Sequence, residues 1–282
     1  MSYWRLSNML SIVITGVTSG VGKALCDALV QRGERVIGIA RNQEKLDRLS
    51  AHFEDARGAF HPYQADFSSF AQVTQAINAI RADFPDGIDA LINNAAIVPK
   101  EKTFTEDGFE MQYQVNHLMV LHVSHGLEDL LIKRGGTLIT TASNAHKKAV
   151  FDPKNLDATK KYHALRSYAR TKLYNLMIMN VLKQRFAGDI DVFAVHPGLV
   201  RTQIGTKDTS KVYAFLWRLF TRRGISPQAA TATYLYLLYD SAVPGDTLYF
   251  FNERPESPLD IVYDQAKCDY LYEVSVQAIP RK

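Results

Sequence analysis

The stretch from Ser11 to Val30 leaves the fewest options for how the rest of the chain folds. Ser11-Ile12-Val13-Ile14 is short, apolar and β-branched, which suits a strand covered on both faces. Thr15-Gly16-Val17-Thr18-Ser19-Gly20-Val21-Gly22 follows, and Lys23 to Val30 then carries apolar residues at helical spacing. In such a strand–turn–helix unit, Gly16 lets the chain leave the strand sharply and Gly20 leaves room for a phosphate against the backbone. Gly22 lets the helix lie close to the sheet. The helix start, with Val21 in its first turn, directs unpaired N–H groups and a partial positive charge at an anion such as a pyrophosphate. The same residue order also serves as a bare packing turn. The spacing here is G-x-x-x-G-x-G rather than G-x-G-x-x-G.

Strand and helix patterns alternate along the remaining chain. Strands are expected at Arg35–Ala40, Phe60–Ala65, Ile88–Ile92, Thr137–Thr141, Ile190–Val195 and Thr247–Phe251. Helices are expected at Gln43–Ala51, Phe70–Ala82, Phe109–Ile132 (stopped by Gly135-Gly136), Leu165–Phe186, Lys207–Phe220 and Pro227–Tyr239. Ser226 is the expected N-cap of Pro227–Tyr239, and a last helix falls near Leu259–Val276. Asn144–His163 is polar, lysine-rich and weakly patterned, hence a loop. Short strands joined by helical crossovers predict an α/β fold: one doubly wound parallel sheet of about seven strands, Rossmann-type, with helices on both faces. No composition shift marks a boundary, so residues 1–282 read as one domain.

Charge and cysteine use narrow the function classes. The formal charge of +4 comes from scattered basic residues, which gives no reason to expect nucleic acid but suits a phosphorylated ligand. Cys26 and Cys268 are far apart and lack metal-ligand spacing, and a reducing compartment fits them best. Met1–Met9 carries Arg5, Asn8 and serines rather than an apolar leader, and no stretch of roughly 20 apolar residues occurs. The expectation is a cytoplasmic protein without a membrane span.

Four features stand in a set order: the glycine turn, Asn93-Asn94-Ala95-Ala96, Ser143 with Tyr168-x-x-x-Lys172, and Pro197-Gly198. Together they resemble the short-chain dehydrogenase/reductase family over nearly the whole chain. Ser143-x-Ala145-His146, Asn155-Leu156, the run Ser167–Asn175, His196–Thr202 and Leu271-Tyr272-Glu273-Val274-Ser275 resemble its retinol-dehydrogenase-like branch.

The chemistry follows from residue types and spacing. Tyr168 and Lys172 lie four apart, so on a helix they share a face. A phenol titrates near 10, and a nearby ammonium, or an oxidised nicotinamide, favours its ionised form. Tyr168 is therefore expected to donate a proton to a carbonyl oxygen in reduction and accept it from the alcohol in oxidation. Ser143, at a strand end, would hold the substrate oxygen while charge develops on it. The resemblance implies that Lys172 also bonds the nicotinamide ribose, and that Asn116 bends its helix and holds a proton-relaying water. It further implies Asp66 and Phe67 beside the adenine, and Asn94 and Ala95 along the adenosine ribose. Pro197, Gly198, Val200 and Thr202 would lie against the nicotinamide. Ala96 departs from the family's usual glycine. His117, His122 and His125 read as packing or surface residues, whereas His146 and His163 flank the site and are candidates to touch substrate.

The strand ending at Ala40-Arg41-Asn42 offers no acid for a ribose 2′-hydroxyl, and a guanidinium suits a 2′-phosphate. Arg41, with Thr18 and Ser19 as hydroxyl donors, thus predicts NADPH/NADP+ as cofactor. The expected partner is a small carbonyl or alcohol substrate. An aromatic stretch, Val212–Phe220, lies in a segment (203–223) that could be a lid over a lipophilic substrate, a core helix or a peripheral membrane contact. Residues 252–282 form a C-terminal extension. Leu173, Leu176, Met177 and Met179 would either pair two copies into a homodimer or pack on the sheet. Two rival activities are a non-catalytic NADP(H)-sensing regulator and a related epimerase or dehydratase. A pure binder has no use for an acid–base phenol, and little chain follows Pro197 for a sugar-nucleotide domain.

Overall fold

A computed structural model describes residues 9–160, 162–201, 224–240 and 243–280. Seven strands run parallel: β1 (Ser11–Thr15), β2 (Arg35–Ala40), β3 (Ala59–Gln64), β4 (Ala90–Asn93), β5 (Thr137–Thr141), β6 (Asp191–His196) and β7 (Tyr249–Phe251). A two-residue strand, β8 (Arg254–Pro255), turns back antiparallel on β7. The sheet order is β3-β2-β1-β4-β5-β6-β7-β8, so the winding direction reverses between β1 and β4. At such a reversal the two sets of crossover connections diverge and leave a crevice above the carboxyl ends of the strands.

Alternation along each strand feeds two cores. Val13, Ile37, Leu91, Leu138, Val192, Ala194 and Tyr249 face one side. Ile12, Ile14, Val36, Ile92, Ile139, Phe193, Val195 and Phe250 face the other. Because successive side chains point to opposite faces, β-branched runs such as Ile12-Val13-Ile14 bury every residue and hold the sheet between two helical layers. One layer contains α1 (Gly20–Arg32), α2 (Gln43–His52) and α7 (Ala232–Tyr239). The other contains α3 (Phe70–Asp83), α5 (Met119–Arg134), α6 (Ala164–Arg185) and α8 (Gln265–Ala278). Cys26 and Cys268 are both buried and unbridged. Among the described residues, no helix is long and apolar enough to cross a membrane.

Three differences from the sequence expectation have local causes. The long helix before β5 begins as a single turn, α4 (Met111–Tyr113), and passes through a π turn at Gln114–Leu118 before becoming α5. The helix after Ser226 starts as a 3₁₀ turn (Ala229–Thr231), with the Ser226 hydroxyl accepting from Ala229 N at 3.1 Å. β8 follows Asn252 and Glu253, both with positive φ, so a two-residue turn exists without the glycine that usually announces it. The expected loop Asn144–His163 contains one 3₁₀ turn, Asn144–Lys148. The expected helix Lys207–Phe220, the 203–223 segment and Thr202 lie outside the described residues.

Candidate active site

The glycine turn is shaped as a cradle at the foot of the crevice. Gly16 and Gly20 adopt φ of +78° and +59°, a region that side chains other than glycine's enter only with strain. A Cβ on Gly22 would lie 2.4 Å from the Gly16 carbonyl oxygen and 2.5 Å from Asn94 Nδ2, so α1 meets the turn at bare backbone distance. Ser19 precedes α1 but its side chain forms no cap, and the first turn holds no acid. Asn42 and Ser69, by contrast, cap α2 and α3 through their side chains. The N-terminal N–H groups of α1 and the positive end of its dipole are therefore left, among the described residues, with neither a side-chain cap nor a first-turn acid, which fits a pyrophosphate. Val21 is buried, so it offers this site only its backbone.

Thr15, which the sequence reading passed over, holds the cradle together. Its hydroxyl accepts from both Asn94 N and Ala95 N at 2.9 Å, and Asn94 Nδ2 donates to Thr15 O at 3.0 Å. The Asn94 side-chain NH₂ thus ties the end of β4 to β1 beneath the glycines, next to where the adenosine ribose is expected. The Phe67 ring is packed in the core. Asp66 closes β3 and accepts from Ser68 N at 2.9 Å and from the Ser68 hydroxyl at 2.8 Å.

Arg41 stands exposed at the end of β2, and among the described residues no carboxylate pairs with it. Next to this strand end a hollow of about 300 Å³ is lined by Thr18, Lys23, Lys45, Arg48, Leu49 and His52. Lys23 is paired to Asp27 and Arg48 to Glu44, while Lys45 has no ion pair among the described residues. The signal for Lys45 was its spacing of four from Arg41 on a strand–helix junction capped by Asn42.

Ser143, Tyr168 and Lys172 converge at the carboxyl end of β5. Ser143 leaves the strand as the cap of the 3₁₀ turn, accepting from Ala145 N at 3.2 Å, and its hydroxyl lies on the side of the Tyr168 phenol, close enough to ease its ionisation. Lys172, one turn along α6, is 2 % exposed; its Nζ donates to Thr141 O at 2.7 Å and lies 5.6 Å from the Tyr168 ring centroid. Burial pushes the Lys172 ammonium down to about 7. Burial also pushes the Tyr168 phenol up to about 12, against the opposing pull of the Ser143 hydroxyl. The expected lowering of the phenol by the lysine is therefore not what these groups achieve by themselves, because both lose water and the amine is directed at a carbonyl oxygen. A phenol at about 12 is protonated at neutral pH, the state needed to donate a proton.

Asn116 sits in the π turn, fully buried. Its Oδ1 accepts from Ile97 N at 2.8 Å, its Nδ2 donates to Ile97 O at 2.9 Å, and Nδ2 is 3.5 Å from Thr171 Oγ1. The Thr171 hydroxyl donates in turn to Tyr168 O at 2.9 Å. A π turn stands where the bend was expected, and the Asn116 side chain ties the loop after β4 to α6. His146 is buried with its Nδ1 bonded to Ser143 O at 2.7 Å, so it supports the serine from below and does not reach outward to a substrate. His163 precedes α6 and is exposed. Gly198 has φ +84°, and Val200 packs in the core, pairing its backbone with Ile225. With Pro197, they form the wall beyond β6.

Residues 11–212 match the family model described as short chain dehydrogenase. The chain belongs to the short-chain dehydrogenase family. A Streptomyces sp. (strain C5) protein assigned as a daunorubicin C-13 ketoreductase is 31% identical over 95% of this chain and 92% of its own. Mouse retinol dehydrogenase 14 is 28% identical over 94% of this chain and 84% of its own, which places this short-chain dehydrogenase with the retinol-dehydrogenase-like branch. Among solved structures, an uncharacterised protein of Mycobacterium paratuberculosis superposes with a TM-score of 0.76 at 23% identity, covering 95% of this chain and 92% of that one. The L-sorbose reductase of Gluconobacter frateurii, solved with NADPH and L-sorbose, gives 0.67 at 20% identity, covering 86% and 95%. These structures share the fold of this short-chain dehydrogenase.

Proposed function

We propose that this short-chain dehydrogenase is an NADPH-dependent carbonyl reductase or alcohol dehydrogenase acting on a lipophilic or aromatic small molecule. Convergence of Ser143, Tyr168 and Lys172 beside an uncapped, glycine-cradled helix start carries the reading. Bound there, the nicotinamide supplies or accepts the hydride. Gly16, Gly20 and the first N–H groups of α1 hold the pyrophosphate, and Thr18, Ser19, Arg41 and Lys45 surround the adenosine 2′-phosphate. Asp66, Phe67, Asn94, Ala95, Pro197, Gly198 and Val200 would line the remaining cofactor path, and Thr202, outside the described residues, is assigned to the nicotinamide by the family resemblance alone. Ser143 donates a hydrogen bond to the carbonyl oxygen as charge builds on it, and the protonated Tyr168 phenol delivers the proton. Lys172, held by Thr141 O, keeps a titratable amine one turn from the phenol.

The preference for NADPH is supported by an exposed arginine at the end of β2, the absence of an acid there, and the basic hollow alongside. A lipophilic substrate is supported by the exposed apolar side chains Phe104, Val150, Leu199, Ile225 and Phe251. All five stand at or beyond the carboxyl ends of β4–β7. Apolar walls with a few convergent polar groups favour such a ligand. Reduction of lipophilic aldehydes, ketones and quinones, followed by NADPH absorbance, tests the reading. Turnover of at least one class at a rate well above that with NADH is expected, and no oxidation with any of them would defeat it.

A further inference from the structure

The last helix reaches Asn116 in the π turn through buried polar groups that the chemistry above does not use. α8 packs along α6. From its inner face Ser275 Oγ lies 2.8 Å from His117 Nε2. His117 Nδ1 lies 3.3 Å from Asn175 Oδ1 on α6, and Asn175 Nδ2 donates to Asn116 O at 2.8 Å. All four residues are 0% exposed.

The donor directions follow from elementary hydrogen-bond capacity. Asn116 O can only accept, so the Asn175 amide presents its NH₂ there and its oxygen to His117. His117 Nδ1 must then carry the proton, which leaves Nε2 as an acceptor for the Ser275 hydroxyl. Burial pushes the His117 imidazole down to about 4, so at neutral pH the ring has one donor and one acceptor, as this order requires. Ser275, His117 and Asn175 therefore form a one-way series of three bonds ending on the carbonyl of the π turn. A π turn leaves the regular i→i−4 ladder, and such carbonyls need outside partners to stay in one arrangement.

We infer that Ser275, His117 and Asn175 are positioning residues: through this buried series the C-terminal helix fixes the π turn that places Asn116, Thr171 and so Tyr168. The inference rests on the reductase reading for its catalytic consequence, whereas the structural coupling stands apart from it. It also gives a role to the late run Leu271–Ser275, which lies far from the crevice in sequence and outside the cofactor path.

Hydrogen exchange and kinetics on the full chain test it. Ser275→Ala removes the first bond, and Asn175→Asp removes the last donor at constant volume; Gln277→Ala, on the exposed side of α8, is the control. Amides of 112–121 should exchange about tenfold faster in either variant, with those of α1 and β2 unchanged. kcat should fall about tenfold while NADPH Kd and KM stay within about twofold. Because the bonds lie in series, the double variant should lose no more kcat than either single one. Ser275→Thr, which keeps the hydroxyl, should restore both readouts. Unchanged exchange at 112–121 in Ser275→Ala overturns the coupling, whether or not a substrate has been found. Faster exchange with unchanged kcat overturns the catalytic part. A wild-type protein that reduces no carbonyl defeats the reductase reading, while the exchange result still decides the coupling.

Discussion

Replacing Gly22 by alanine tests the cradle with a single methyl group. The added carbon would stand 2.4 Å from the Gly16 carbonyl oxygen, about 0.6 Å inside the 3.0 Å that real Cβ atoms essentially never breach. The obstacle is backbone, so either α1 or the Gly16 turn must retreat, and Asn94 Nδ2, at 2.5 Å, must leave Thr15 O or follow. Overpacking of this kind costs roughly 1–3 kcal/mol, against which alanine's helix preference over glycine returns up to about 1 kcal/mol. A net loss of roughly 1–2 kcal/mol should lower Tm by a few degrees in a chain of this size. The larger effect falls on the cofactor. Loss of one charge-assisted bond between an α1 N–H group and a phosphate, worth about 1.5–3 kcal/mol, weakens NADPH binding roughly tenfold to a hundredfold. Nicotinamide fluorescence titration and thermal unfolding give both values. Gly245→Ala, whose Cβ meets nothing within 4 Å among the described residues, serves as the comparison and should change neither by much. Gly22→Ala with wild-type NADPH affinity would refute the close-packed cradle as the phosphate site.

Other perturbations probe separate parts of the account. Arg41→Asp should shift the ratio of kcat/KM for NADPH over NADH toward NADH by at least about tenfold, the loss of one charge-assisted bond plus a new repulsion; an unchanged ratio would remove Arg41 from the 2′-phosphate site. Thr15→Val keeps the shape but leaves Asn94 N and Ala95 N without their acceptor, at about 2–4 kcal/mol by denaturant unfolding. A loss below about 0.5 kcal/mol would contradict its role as the clamp. His117, His122 and His196 are each held neutral by burial, with their pKa pushed down to about 4. Between pH 6.5 and 4 the unfolded chain therefore binds protons that the folded one does not, and stability falls as pH falls, by up to about 1.4 kcal/mol per unit for each histidine. Urea unfolding at pH 7, 6 and 5 should show that decline, and His122→Leu should make it shallower; a flat profile would contradict the burial of neutral imidazoles.

What the residues disclosed in advance was what local pattern and side-chain chemistry control. The β-branched runs at Ile12-Val13-Ile14 and Val36-Ile37 mark strands covered on both faces, and the glycines mark a turn that needs positive φ at two positions. Tyr168 and Lys172 were placed together by helical spacing alone. Contacts between distant segments were hidden. Nothing near Thr15 announces that its hydroxyl serves two N–H groups almost eighty residues away. Asn116 in the π turn bonds to Ile97 and Asn175, and Ser275 meets His117 across 158 positions. The surroundings of Tyr168 were hidden likewise: spacing brings an amine near a phenol, but only the fold shows that burial raises the phenol and lowers the amine. Leu173, Leu176, Met177 and Met179 are fully buried within one chain, so their apolar character is accounted for by packing in the core around α6.

Tyr168→Phe, compared with wild type in NADPH oxidation on the best carbonyl found, isolates the proton delivered to the substrate oxygen. The ring and its packing remain and only the hydroxyl is lost, so NADPH binding should stay within about twofold while kcat drops roughly a hundredfold to ten-thousandfold. A phenylalanine variant that turns over at the wild-type rate, with NADPH bound equally well, would contradict Tyr168 as the proton donor and with it the assignment of this crevice as a reductase site.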